Sequence, residues 1–179
     1  IGAIDGMIER TVTVNGMAKG FAMTGWRVGY IGAPLWLAKA CTKIQGQFTS
    51  ANCSIAQRAA LTALTTDLGP TREMTKEYLR RRTLVKELLD DIPGFKTNLP
   101  QGAFYFFPDV SAYFGKSIEG RTINDASDLC LYLLEEAHVS VVTGEAFGDP
   151  NCIRLSYAAS EEQLRKAIEQ LKEALLKLA

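Results

Sequence analysis

Apolar residues recur along the chain with two periods, and the switches between them mark out the elements. Thr11-Val12-Thr13-Val14 is rich in β-branched residues and predicts a strand. Small residues fill positions 15–24, and residues 26–33 predict a second strand. Pro34 opens a helix in the first-turn position that proline tolerates, and that helix reaches Gln45. Residues 46–53 form a polar connection. Ser54 predicts an N-cap for a helix through Leu64, with Gln57 completing a capping box. Asp67-Leu68-Gly69-Pro70 stops it.

A longer helix is predicted over residues 71–91, with Met74, Tyr78, Leu84, Val85, Leu88 and Leu89 on its apolar side. Pro93-Gly94 ends it. Short strands are expected at 95–97 and 103–107, a helix at 124–136, and strands at 139–142 and 153–157. Ser160-Glu161-Glu162-Gln163 is a capping box, and Leu164, Ile168, Leu171 and Leu175 follow at helical spacing. The expected class is α/β in two unequal parts. Residues 1–69 hold two strands and two helices, too few elements for a closed core. Residues 70–179 read as a complete α/β layer.

Composition narrows the function classes. Hydrophobic residues make up 47% and charged residues 22%, as in ordinary globular domains. Lys+Arg and Asp+Glu balance at 20 each, so neither a nucleic acid nor an anionic membrane is the expected partner. Cys41, Cys53, Cys130 and Cys152 form no CxxC pair, and His138 is the single histidine, so no metal site is expected. The sparse cysteines predict a reducing, cytoplasmic setting. Neither a signal segment nor a membrane-spanning run is expected. Asn52-Cys53-Ser54 matches a glycosylation acceptor only by chance.

Candidate chemistry concentrates in residues 15–30. Lys19 lies among Gly16, Ala18, Gly20 and Ala22, directly after a predicted strand. Small neighbours let backbone or a flat ligand approach closely. A free lysine has a pKa of about 10.4 and is protonated at neutral pH. Desolvation or a nearby cation frees the amine, which then attacks an aldehyde to give a Schiff base. Arg27 follows eight residues later. Its planar fork suits a phosphate. Neither a GxGxxG fingerprint nor a P-loop is present; Trp26 stands where the P-loop needs lysine. Taken singly, the two cations are better read as a surface lysine in a glycine-rich turn and an arginine on a strand end.

The full run Asn15-Gly16-Met17-Ala18-Lys19-Gly20-Phe21-Ala22-Met23-Thr24-Gly25-Trp26-Arg27-Val28-Gly29-Tyr30 resembles the cofactor-lysine signature of class I/II aminotransferases of the aspartate aminotransferase type. The resemblance implies that Lys19 holds pyridoxal 5'-phosphate as a Schiff base and that Arg27 binds its phosphate. Gly16 stands where many relatives carry a hydroxyl residue. Pro100-Gln101-Gly102-Ala103-Phe104-Tyr105 resembles the family strand lining the substrate side of the pocket. Val142-Thr143-Gly144-Glu145-Ala146-Phe147-Gly148 resembles its Val-x-Pro-Gly-x-x-Phe-Gly loop, with Thr143 replacing proline. Cys152-Ile153-Arg154-Leu155-Ser156 resembles its Arg-x-Ser strand, which implies that Arg154 clamps a substrate α-carboxylate.

The implied fold is the C-terminal part of the fold type I transferase fold. Residues 1–69 then end the large cofactor-binding domain, and 70–179 form the small C-terminal domain. The implied activity is amino-group transfer between an amino acid, aspartate first, and a 2-oxo acid, 2-oxoglutarate first. Aromatic or alanine specificity is the alternative within the family, and a non-catalytic interaction module is the alternative outside it. The family's pyridine-nitrogen aspartate and ring-stacking aromatic have no counterpart here. This chain alone is therefore expected to be inactive, and the full-length protein to be an active homodimer. Three further readings need no chemistry: His138 as a helix C-terminal cap, Arg80-Arg81-Arg82 as one solvated helix face, and Trp26 and Trp36 as packing residues.

Overall fold

The computed structural model describes residues 1–178. The chain folds as two compact units, Ile1–Glu73 and Met74–Ala179. In the first, β1 (Thr13–Gly16) and β2 (Gly29–Gly32) pair antiparallel, with Asn15 opposite Tyr30 and Gly16 opposite Gly29. Both strands begin later than the hydrophobic pattern predicts. Thr24–Trp26 folds as a 3-10 turn, and Arg27 is left-handed with φ 53°, which breaks any extended run there.

Two helices complete the first unit. α1 (Leu35–Phe48) carries Gly46 within it and runs past the expected end. α2 (Ser54–Thr65) takes Cys53 as its N-cap residue. Gln57 Nε2 donates to Asn52 O at 2.8 Å, so the expected Ser54–Gln57 capping box does not form. The buried cluster is small: Met17, Met23 and Ala60, with Phe21, Val28, Ala59 and Ala63 packed around them. No residue of α1 is buried. Trp26 and Trp36, expected as packing residues, are 47% and 65% exposed, because this cluster offers no apolar layer to receive them.

α3 (Gly69–Asp90) opens with Gly69 N–H donating to Asp67 Oδ2, so Gly69-Pro70 starts this helix. α2 has already ended at Thr65, with Thr66 as its C-cap, so the expected stop at residues 67–70 lies beyond it and Gly69-Pro70 acts only as the start of α3. α3 leads into the second unit, where β3 (Tyr105–Phe106), the hairpin β4 (Ser117–Ile118) and β5 (Arg121–Thr122), α4 (Ala126–Glu136), β6 (Val142–Thr143), β7 (Ile153–Ser156) and α5 (Glu161–Leu176) follow. β7 is the centre of an antiparallel sheet of order β3-β7-β6. The expected strand at 95–97 is reduced to a single bridge between Lys96 and Asp109, and that at 139–142 begins only at Val142.

The core sits under this sheet. Phe106, Ile153 and Leu155 meet Leu129 and Leu133 of α4, Val85 and Leu89 of α3, and Leu164, Ile168, Leu171 and Leu175 of α5. The stripe on α5 is the one its sequence spacing predicts. Ser160 Oγ accepts from Gln163 N–H, as expected of the cap. Asp125 caps α4 by accepting from Ser127 N–H and Asp128 N–H. His138, just beyond α4, is left-handed with φ 54°, and Val139 N–H donates to Leu133 O, which is how this helix stops. The three arginines are not one solvated face. Arg80 and Arg81 grip Glu77, but Arg82 Nη1 donates to Pro100 O at 2.9 Å and is half-buried.

Candidate active site

The segment joining β1 to β2 is shaped by two buried methionines. Met17 is fully buried, and Met17 N–H donates to Val28 O, which closes the hairpin. Met23 N–H donates back to Met17 O. Between these anchors Lys19 O accepts from Ala22 N–H, and Ala22 takes a left-handed φ of 53°. Lys19 therefore stands on a tight turn, with its side chain exposed. Thr24 ties this turn to Arg27: its Oγ1 donates to Ala18 O at 2.9 Å, and its carbonyl accepts from Arg27 Nη1 at 2.8 Å.

Lys19 and Arg27 thus hang from opposite ends of one internally bonded loop. Its small residues leave space. A Cβ added at Gly20 or Gly25 would meet nothing within 4 Å. Gly25, Trp26 and Arg27 border an open depression of about 920 Å³, whose other side is built by Asn52, Cys53 and Ala56 near the start of α2. Gly29 is the tight position: its added Cβ would lie 3.2 Å from Asn15 O.

Arg154 lies in the second unit, on β7. The burial along that strand alternates, with Ile153 and Leu155 in the core and Arg154 and Ser156 on the other face. Tyr105 pairs with Ser156, and Val142 with Arg154, so Tyr105 and Val142 share that outer face. The Arg154 guanidinium carbon lies 4.4 Å from the Tyr105 ring centre and 4.2 Å from that of Phe147. Phe107 meets Phe147 edge-on at 6.3 Å. The motifs place Tyr105 and Phe147 near this strand without assigning either ring a task. The alternation of Tyr105-Phe106-Phe107 was the available signal, since period 2 puts the outer two rings on one face.

Around Arg154 the loop 144–148 is locked in place. Gly144 N–H donates to Cys152 O at 2.7 Å, and Asp149 N–H donates to Gly144 O. Thr143, which stands at the loop's proline position, instead accepts a hydrogen bond from Ser127 Oγ at 3.2 Å. Among the described residues, no three His, Cys, Asp or Glu side chains converge on a metal position, and no helix is long and apolar enough to cross a membrane.

Comparison with known proteins shows the family and the fold. The bifunctional aspartate aminotransferase and glutamate/aspartate-prephenate aminotransferase of Petunia hybrida is 47% identical over 97% of this chain, which covers 37% of that protein. Aspartate aminotransferase of Pinus pinaster is 46% identical over 98% of the chain, again 37% of the relative. The crystal structure of the Rhizobium meliloti aspartate aminotransferase superposes with a TM-score of 0.92 at 44% identity, covering 97% of this chain and 44% of that one. The aromatic aminotransferase of Pyrococcus horikoshii superposes at 0.85 with 39% identity, covering 97% of this chain and 45% of that one. The chain thus spans less than half the length of these relatives, and its α/β fold is the C-terminal part of the fold type I architecture they share. The aminotransferase class I and II family model matches residues 2–171, and the chain belongs to that family.

Proposed function

We propose that this chain is part of a pyridoxal 5'-phosphate-dependent aminotransferase that moves an amino group between aspartate and 2-oxoglutarate. The observation that carries the reading is the Thr24 tie, which fixes the Arg27 guanidinium to the backbone of the loop that carries Lys19, beside open space. An amine for an aldehyde and a fork for a phosphate are the donors this cofactor requires. The depression of about 920 Å³ beside Arg27 has the capacity of a small-molecule site. The residues present therefore fit the group: Lys19 would hold it covalently and Arg27 would bind its phosphate. When bound, the cofactor supplies the electron sink that acidifies the Cα–H of an attached amino acid.

The chain's own residues do the rest. Arg154 receives the substrate α-carboxylate in two parallel hydrogen bonds, which orients the Cα–H for removal. Lys19 Nζ, freed when the substrate amine displaces it, would take that proton as a general base and later return one as a general acid. Residues 1–69 serve as the end of the cofactor-binding domain and 70–179 as the small domain; the division of the chain into two compact units between Glu73 and Met74 supports a boundary near that one. The complete protein is a cytoplasmic homodimer. The apolar residues exposed in the first unit support its burial against further protein.

Adding pyridoxal phosphate to the full-length protein gives an absorbance band near the visible edge, and Lys19→Ala abolishes it. A Lys19→Ala protein that keeps a band fixable by borohydride overturns the lysine assignment. Residues 1–179 alone give no transaminase turnover; measurable turnover rejects the dependence on further chain. A second reading, aromatic substrates, is favoured by the rings of Tyr105, Phe107 and Phe147 around Arg154. The ratio of kcat/KM for aspartate to that for phenylalanine separates the two.

A further inference from the structure

We infer that Tyr105 and Phe147 are positioning residues that hold the Arg154 guanidinium in one orientation for a carboxylate. This rests on the reading of Arg154 as the carboxylate site given above. A free arginine side chain samples many rotamers, and a ligand that needs one of them must offset that loss. Here the side chain is half-buried and flanked by two rings at 4.4 and 4.2 Å, well inside the range for cation–π attraction. Both contacts are aromatic, so they fix the guanidinium without consuming its N–H donors. Among the described residues no carboxylate forms an ion pair with Arg154, whereas Arg80, Arg121 and Arg165 each pair with a glutamate. The fork stays available for a ligand.

Each ring reaches Arg154 by a different route. Tyr105 is placed by sheet register, opposite Ser156 and on the outer face with Arg154. Phe147 is placed by the loop, through the Gly144 N–H to Cys152 O hydrogen bond and the Gly148 turn at φ 91°. Phe107 then meets Phe147 edge-on and restrains it from the side. The two contacts are therefore separable by mutation.

The test is nuclear magnetic resonance on chain 1–179 with succinate as the carboxylate probe. The Arg154 Hε resonance is displaced upfield of the chain's other arginines by the ring currents, and succinate moves it. Phe147→Leu and Tyr105→Leu each reduce that displacement and weaken the succinate response roughly three- to tenfold, the range expected for losing one cation–π contact. Phe147→Tyr and Tyr105→Phe retain both, because they keep a ring. An Arg154 Hε resonance at the position of exposed arginines, unchanged in the Leu variants, overturns the inference. So does a displaced resonance whose succinate response is equal in parent and Leu variants. A displaced resonance in the parent chain that succinate does not move strikes instead at Arg154 as the carboxylate site, and the inference falls with that reading.

Discussion

A Cβ added to Gly144 would lie 2.3 Å from Asp149 O and 2.4 Å from Cys152 O, both backbone atoms that cannot turn aside. Gly144→Ala therefore forces the loop off β7. It should destabilise the second unit by about 1–3 kcal/mol, the usual cost of overpacking, read from urea denaturation. An unchanged midpoint would show that the loop yields freely. Two thiols give a pH dependence. Burial pushes the Cys130 thiol up to about 11, with the Asp125 charge adding to it. Burial likewise pushes Cys152 up to about 11, helped by Asp149. In the unfolded chain both ionise near the ordinary thiol value of 9.0, so above that pH the unfolded state sheds protons first. Stability is thus unaffected below pH 9 and falls as pH rises from about 9 to about 11. Melts across that window should flatten in a Cys130→Ala, Cys152→Ala double variant, and equal slopes in both proteins would remove the thiols as the cause. At this scale the candidate residues came from sequence alone: Lys19, Arg27 and Arg154 each stand in a motif. Thr24 was not legible as a tie, since its two bonds depend on the loop's path rather than on spacing.

Helix ends show where local pattern suffices and where it does not. Ser160 caps α5 as its sequence predicts, because the hydroxyl and Gln163 N–H are close neighbours in the chain. Ser54 carries the same signature and fails, because Gln57 finds Asn52 O instead and Cys53 takes the cap position. The α4 cap is the stronger case, with Asp125 Oδ1 accepting two N–H groups at 2.8 and 2.9 Å. Asp125→Ala should lower stability by about 1 kcal/mol in thermal or chemical denaturation, while Ser54→Ala should change little. Equal losses from the two would mean that the cap geometry is not what matters. Long amphipathic helices were legible from period 3.6. The β4–β5 hairpin was not, since two-residue strands carry no period; its turn is made by Glu119 and Gly120, both at positive φ.

The two units differ in how much apolar surface they enclose. The second buries a continuous core drawn from α3, α4, α5 and the sheet, whereas the first buries little beyond Met17, Met23 and Ala60. Phe48, 84% exposed, and Leu35, Trp36 and Ile44 of α1 gain little from water exclusion here. Hydrogen exchange in 1–179 should therefore be slow at Phe106 and Leu155 and fast at Val14 and Tyr30. Equal protection of the two strand pairs would contradict this contrast. The shortage of core in residues 1–69 was visible from the count of elements alone. The hairpin's antiparallel pairing was not, because register depends on the Met17 to Val28 hydrogen bond. The central position of β7 has a further consequence during synthesis. β3 and β6 both pair with it, and it is the last of the three to leave the ribosome. A nascent chain stalled before Ile153 exposes two short strands with no shared partner and a helix face with no sheet to cover, the state that chaperones bind. Release past Ser156 lets that sheet close in a single step.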